Sequence, residues 1–133
     1  MNWILLLGAQ EEKFIRLAQL LGPEYDYHWC SEAFRIHKTI SQLKEIRTRP
    51  GAVVCCLDIP VDCDPAEKLS VISRVQGIYP SIKIFVWTEH ELDWWVERSL
   101  AHGAEKYFVA GKQDNELARA VKKLFNEINP SSL

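Results

Sequence analysis

The sequence lacks an excess of basic charge: 16 Lys and Arg stand against 18 Asp and Glu, a formal charge of −2 with His neutral. Gripping a phosphate backbone takes clustered cations, so direct nucleic-acid binding by this segment is not expected. No window reaches the roughly 18 consecutive apolar residues of a membrane-spanning helix. The opening Met1-Asn2-Trp3-Ile4-Leu5-Leu6-Leu7 also lacks the basic leader and small-residue cleavage site of a secretory signal. A cytoplasmic protein without membrane contact is the expectation. Cysteine is sparse and poorly spaced for pairing. Cys30, Cys55, Cys56 and Cys63 contain no Cys-x-x-Cys, and neighbours on a strand point to opposite faces, so the thiols are read as reduced. His28, His37, His90 and His102 have no spacing that gathers a metal site. Gly-x-Gly-x-x-Gly and Walker-type loops are both absent, which removes the strongest warrant for a nucleotide enzyme. There is no internal repeat and no low-complexity tract.

What remains is rich in core material. The 133 residues suit one domain, and 47% apolar residues with five Trp exclude a disordered chain. The domain is expected over 1–128, with 129–133 as a frayed tail or linker. Trp3 to Leu7 is a short apolar run, followed by Glu11 to Leu21 with Phe14, Ile15, Leu17, Ala18 and Leu21 at helical spacing. After Gly22-Pro23, Tyr25, Tyr27 and Trp29 alternate with Asp26, His28 and Cys30, the period-two pattern of an edge strand. Ser31 caps a second helix whose apolar positions, Phe34 to Ile46, run to the Arg49-Pro50-Gly51 break. Its basic residues, Arg35, Lys38, Lys44 and Arg47, with Arg49 after it, read as a solvated face.

Ala52 to Leu57 is apolar at every position, as in a strand covered on both faces, and Asp58 ends it. Asp64-Pro65 opens a third helix that turns Leu69, Ile72 and Val75 inward. A second buried strand, Ile82 to Thr88, leads to a fourth helix over Glu91 to His102. Tyr107 to Ala110 is a fifth strand, and Asp114 to Ile128 a fifth, amphipathic helix with Leu117, Val121, Leu124 and Phe125 on one stripe. Five strands alternating with helices imply an α/β fold: a doubly wound five-stranded parallel sheet, strand order 2-1-3-4-5, flavodoxin-like. Ligands of such sheets bind beyond the carboxyl ends of the strands, which directs attention to Gly8-Ala9-Gln10, Asp58, Thr88 and Ala110-Gly111-Lys112.

At these positions the chain resembles the receiver domain of bacterial two-component response regulators, over nearly its whole length. Ala101-His102-Gly103-Ala104-Glu105-Lys106-Tyr107-Phe108-Val109 resembles the receiver stretch entering strand five. Glu116-Leu117, with Ala118 and Ala120, resembles the helix that follows. Val53 to Asp58 and Ile84 to Thr88 resemble the strands delivering the phosphoacceptor and the hydroxyl. The resemblance implies Asp58 as the phosphoacceptor equivalent, and Thr88 and Tyr107 as the switch pair. It also implies an acidic pair that would hold Mg²⁺ and a Lys that would neutralise phosphate. Here the acidic-pair positions are Gly8 and Ala9, and the Lys position is Ala110. Rescue would need Glu11 or Glu12 together with Lys112, all displaced. The resemblance therefore implies a degenerate, phosphorylation-independent pseudoreceiver with no cofactor, because Mg²⁺ depends on anionic oxygens.

Trp94 and Trp95 are adjacent on the fourth helix, so Trp95, with Leu92, Ser99 and Val96, faces the sheet while Trp94 turns to solvent. The expected role is signal transduction through a protein partner or a homodimer, on the face built by the fourth helix, fifth strand and fifth helix, with Trp94 in the contact. It would not be an enzyme. Two other readings compete with this one: a working phosphoacceptor receiver that uses Asp58 and Mg²⁺, and a small flavodoxin-like ligand-binding domain or enzyme.

Overall fold

A computed structural model describes residues 3–30, 41, 49–57 and 65–128. Asp58, Cys63, the tail at 129–133 and the expected second helix, apart from residue 41, lie outside the described residues. The elements are β1 (Trp3–Leu7), α1 (Glu11–Leu21), β2 (Asp26–Cys30), β3 (Ala52–Cys55), α2 (Pro65–Ile78), β4 (Ile84–Thr88), α3 (Asp93–Ala101), β5 (Lys106–Val109) and α4 (Asp114–Ile128). All neighbouring strands are parallel and their order is β2-β1-β3-β4-β5, as the pattern of apolar runs implies.

Strand alternation divides the core in two. Ile4, Leu6, Val54, Phe85 and Trp87 point to the face covered by α1 and α4, where they meet Leu17, Leu21, Leu117, Val121 and Phe125. Leu5, Leu7, Val53, Ile84 and Val86 point to the other face, against Leu69, Ile72 and Val75 of α2. Cys56 belongs to the first cluster and Cys55 to the second, so the adjacent thiols do lie on opposite faces. Both are reduced thiols, as is Cys30. Every residue of β3 and β4 is buried, which is what two helical layers over a parallel sheet require. Among the described residues no helix is long and apolar enough to cross a membrane.

Two expectations are corrected. Ile15 is 48% exposed, because two residues of helix turn it about 200° from Leu17, away from the buried stripe. Leu92 is 70% exposed. It is the N-cap residue of α3 with extended backbone, so the helical period does not set its direction. Trp95 and Ser99, inside the helix, do turn inward: Ser99 is fully buried and Trp95 packs on the α2-side core.

Candidate functional site

The carboxyl ends of β1, β3 and β4 come together at one edge of the sheet, and the loops that follow them form the candidate site. Gly8 closes β1 with φ 66, a left-handed conformation that a Cβ makes costly by about 1–2 kcal/mol. Its N–H donates to the Cys30 carbonyl at 2.9 Å, and the Cys56 N–H donates to the Leu7 carbonyl at 2.9 Å. Ala9 is fully buried. Trp29, at the end of β2, covers it: the indole N–H donates to the Ala9 carbonyl at 2.8 Å, and the ring stacks on Phe14 at 5.1 Å. Leu57, the last described residue before position 58, is buried with φ 55. Such backbone strain in a bulky residue is tolerated where the surroundings over-determine it.

Thr88 ends β4 with 1% exposure, and its hydroxyl has no hydrogen-bond partner among the described residues. Next to it, Glu89 receives the Lys13 ammonium at 2.8 Å. Lys13 is 2% exposed and lies 5.7 Å from the Trp87 ring centroid. Partial burial raises the Glu89 carboxyl, but the hydrogen bond and charge of Lys13 outweigh it and leave the group below the ordinary carboxylate range. Trp87 is fully buried and donates its indole N–H to Asp114 Oδ1 at 2.9 Å. The same oxygen accepts the Gly111 N–H at 2.8 Å, and Arg16 approaches Asp114 Oδ2 at 3.8 Å. Polar contacts therefore tie α1, the β4 loop and the start of α4 together.

Tyr107, half-buried on β5, donates its hydroxyl to the His90 carbonyl at 2.6 Å. Burial pushes its phenol up to about 12. The His90 ring stacks on Trp95 at 4.6 Å, Trp95 meets Trp94 edge-on at 5.0 Å, and the Arg98 guanidinium sits 5.3 Å over the Trp94 ring. Trp94 is 41% exposed. Contacts thus run without a gap from β5 to the outer surface of α3.

Of the sequence-derived site residues, Gly8, Ala9, Thr88 and Ala110 lie at the strand ends; Ala110 is buried and its N–H donates to the Thr88 carbonyl at 2.8 Å. Asp58 is not among the described residues. Among the described residues, no hydrogen bond or ion pair gathers Glu11, Glu12 and Lys112 there. Lys112 instead pairs with Glu91 at 2.6 Å in solvent, and Glu12 faces Arg16 at 3.9 Å. Among the described residues no cluster of His, Cys, Asp and Glu could hold a metal ion. The inward Lys13 and its partner Glu89 escaped the sequence reading. A signal was present, since Lys13, Leu17 and Leu21 share one helical stripe and are the buried residues of α1.

No protein-family model matches the sequence, and no curated protein matches it. Solved structures do match in fold. The chain is similar to the signal receiver domain of a DNA-binding response regulator from Colwellia psychrerythraea 34H, with TM-score 0.73, 23% identity, and 95% and 99% of the two chains covered. It is similar to a response regulator from Thermotoga maritima, with TM-score 0.74, 16% identity, and 95% and 98% covered. It is also similar to the Mn²⁺-bound form of response regulator Rcp1, with TM-score 0.69, 16% identity, and 95% and 93% covered. The chain has the response-regulator receiver fold.

Proposed function

We propose that this chain is a regulatory module of signal transduction that works by protein contact and not by accepting a phosphoryl group. The observation that carries this reading is the end of β1. A receiver would hold its divalent ion there by carboxylates, but this chain has Gly8 and buried Ala9, and the Ala9 carbonyl is already taken by the Trp29 indole. Mg²⁺ keeps most of its waters and binds proteins through one or two carboxylates plus phosphate oxygens. The Mn²⁺ of Rcp1 therefore does not carry over: the donors present here do not suit a hard divalent cation. Asp58, if presented at the same edge, would be an acceptor without the carboxylate-held divalent ion and the strand-five lysine that make it reactive. The buried Ala110, where the resemblance puts a lysine, supports the same conclusion.

The output surface in this reading is the face of α3, β5 and α4, with Trp94 at its centre and a protein partner or second copy as occupant. Trp94 is exposed with the Arg98 guanidinium 5.3 Å over its ring, and Trp and Arg are the residue types enriched at strong contact sites. The contacts from Tyr107 through His90 and Trp95 to Trp94 give a physical route by which binding at one end could bias the other. A phosphotransfer assay tests the proposal. The chain is incubated with Mg²⁺ and acetyl phosphate, then weighed intact beside Asp58→Ala. No added phosphoryl mass is expected in either protein; an adduct present in wild type and lost in Asp58→Ala would overturn it.

A further inference from the structure

We propose that Lys13 is the resident cation of the strand-end pocket: an ammonium built into α1 that holds the place a divalent ion would take in a metal-assisted site. The inference rests on the degenerate reading of that pocket. Topology carries the argument. Lys13 stands in the first turn of the helix that follows β1, and its Nζ lies 2.8 Å from Glu89, the residue immediately after β4. β1 and β4 are not neighbours, because β3 runs between them. Adjacent strands are about 4.8 Å apart, so a side chain that leaves the β1 end and reaches the β4 end passes the carboxyl end of β3, where Leu57 leads into position 58.

The cost of this arrangement argues that it serves the site. Lys13 occupies the buried stripe of α1 with Leu17 and Leu21, where an apolar residue would need no partner. At 2% exposure the ammonium is tolerable only if paired. Glu89 supplies the pairing from a loop, with its own side chain 59% exposed. The Trp87 ring lies beneath both cations of α1, Lys13 at 5.7 Å and Arg16 at 6.0 Å. A divalent ion entering here would meet two like charges, and Gly8 and Ala9 at the β1 end offer it no carboxylate. The ammonium instead draws α1 and the β4 loop together, which is the mechanical part a bound ion would otherwise play.

Thermal unfolding of the whole chain, with and without Mn²⁺ at matched ionic strength, tests the assignment. The wild-type midpoint is expected to ignore Mn²⁺. Glu89→Ala should lower it by roughly 5–10 °C, because it removes the carboxylate paired with the buried Lys13 ammonium and cuts the link between α1 and the β4 loop. It should remain insensitive to the ion. Lys13→Glu places two carboxylates face to face, so it should fall further and recover saturably as Mn²⁺ is added. A saturable Mn²⁺ response in wild type, or an unchanged midpoint in Glu89→Ala, would overturn the proposal. So would a Lys13→Glu chain that stays unfolded at saturating Mn²⁺. These outcomes are separable from the parent reading: a phosphoryl adduct on Asp58 defeats the degenerate pocket, whereas an unchanged midpoint in Glu89→Ala, with no adduct and no Mn²⁺ response in wild type, defeats only the role given to Lys13.

Discussion

Replacing Thr88 by valine should make the protein more stable, an unusual expectation for a fully buried polar position. The Thr88 side chain is 1% exposed and its hydroxyl has no partner among the described residues. A buried hydroxyl without a hydrogen bond costs about 1–3 kcal/mol. Valine keeps the β-branched shape and its rotamer preference while exchanging the hydroxyl for a methyl, and a buried methyl adds about 0.8 kcal/mol. Allowing for imperfect fit of the new methyl, the net gain should be about 1–2 kcal/mol. For a chain of 133 residues that is roughly 3–8 °C in Tm. Urea unfolding followed by circular dichroism reads it, through a higher midpoint at unchanged slope. Thr88→Ser, which keeps the hydroxyl and loses the methyl, should move the other way by about 1 kcal/mol. A Thr88→Val protein less stable than wild type by 1 kcal/mol or more, an order-of-magnitude threshold for one lost hydrogen bond, would mean that the hydroxyl is satisfied and the reasoning wrong. If the gain appears, the orphan hydroxyl is a feature kept at the expense of stability, as polar groups at working sites are.

Two glycines should respond with opposite signs. A Cβ at Gly51 would lie 2.1 Å from Phe125 Cε1, so Gly51→Ala should destabilise by about 1–3 kcal/mol by pushing that ring from its packing on Tyr25; Gly77, in α2 with nothing within 4 Å of its Cβ position, should gain about 0.5–1 kcal/mol on mutation to Ala. Equal signs in parallel melts would contradict the packing account. Burial raises all four tyrosines, Tyr27 and Tyr107 to about 12. Because the folded values exceed the unfolded value near 10, this contribution to stability is complete below that pH and is lost as pH rises through the folded values. Phenolate absorbance appearing near pH 10 while the fold is intact would count against it. Trp94→Ala should lower stability by less than about 1 kcal/mol and weaken partner or self-association by roughly tenfold or more. If dilution-dependent association and partner binding are the same in both proteins, Trp94 is not in the contact.

Most of the architecture was legible because the buried strands are short apolar runs and the helices carry their stripes in the open. Ala52–Cys55 and Ile84–Thr88 could hardly be anything but central strands, and Leu117, Val121 and Phe125 mark the inner face of α4 at four-residue spacing. Ile15 was misplaced because composition was weighed over phase: it is apolar, but lies on the far side of the helix from Leu17. The site was harder to read. Gly8, Ala9 and Ala110 could be placed by position along the strands, since an absent carboxylate or amine is plain in a sequence. For Lys13 the stripe it shares with Leu17 and Leu21 is outweighed by its neighbours Glu11 and Glu12, which read as a solvated first turn. Its burial depends on Glu89, 76 residues away, and on Trp87, a partner that only the folded sheet brings near. Trp29 over Ala9 is long-range in the same way, as it requires β2 to lie beside β1 in register, with Trp29 opposite Leu6.

In the function proposed above, the strand ends do not support divalent-ion chemistry. Tryptophan fluorescence during a Mg²⁺ titration addresses it most directly, because Trp29 sits on Ala9 and Trp87 lies beneath Lys13, so the indoles border the place where an ion would bind. At constant ionic strength a flat trace is expected for wild type. A saturable change in emission that is abolished in Asp58→Ala would contradict it.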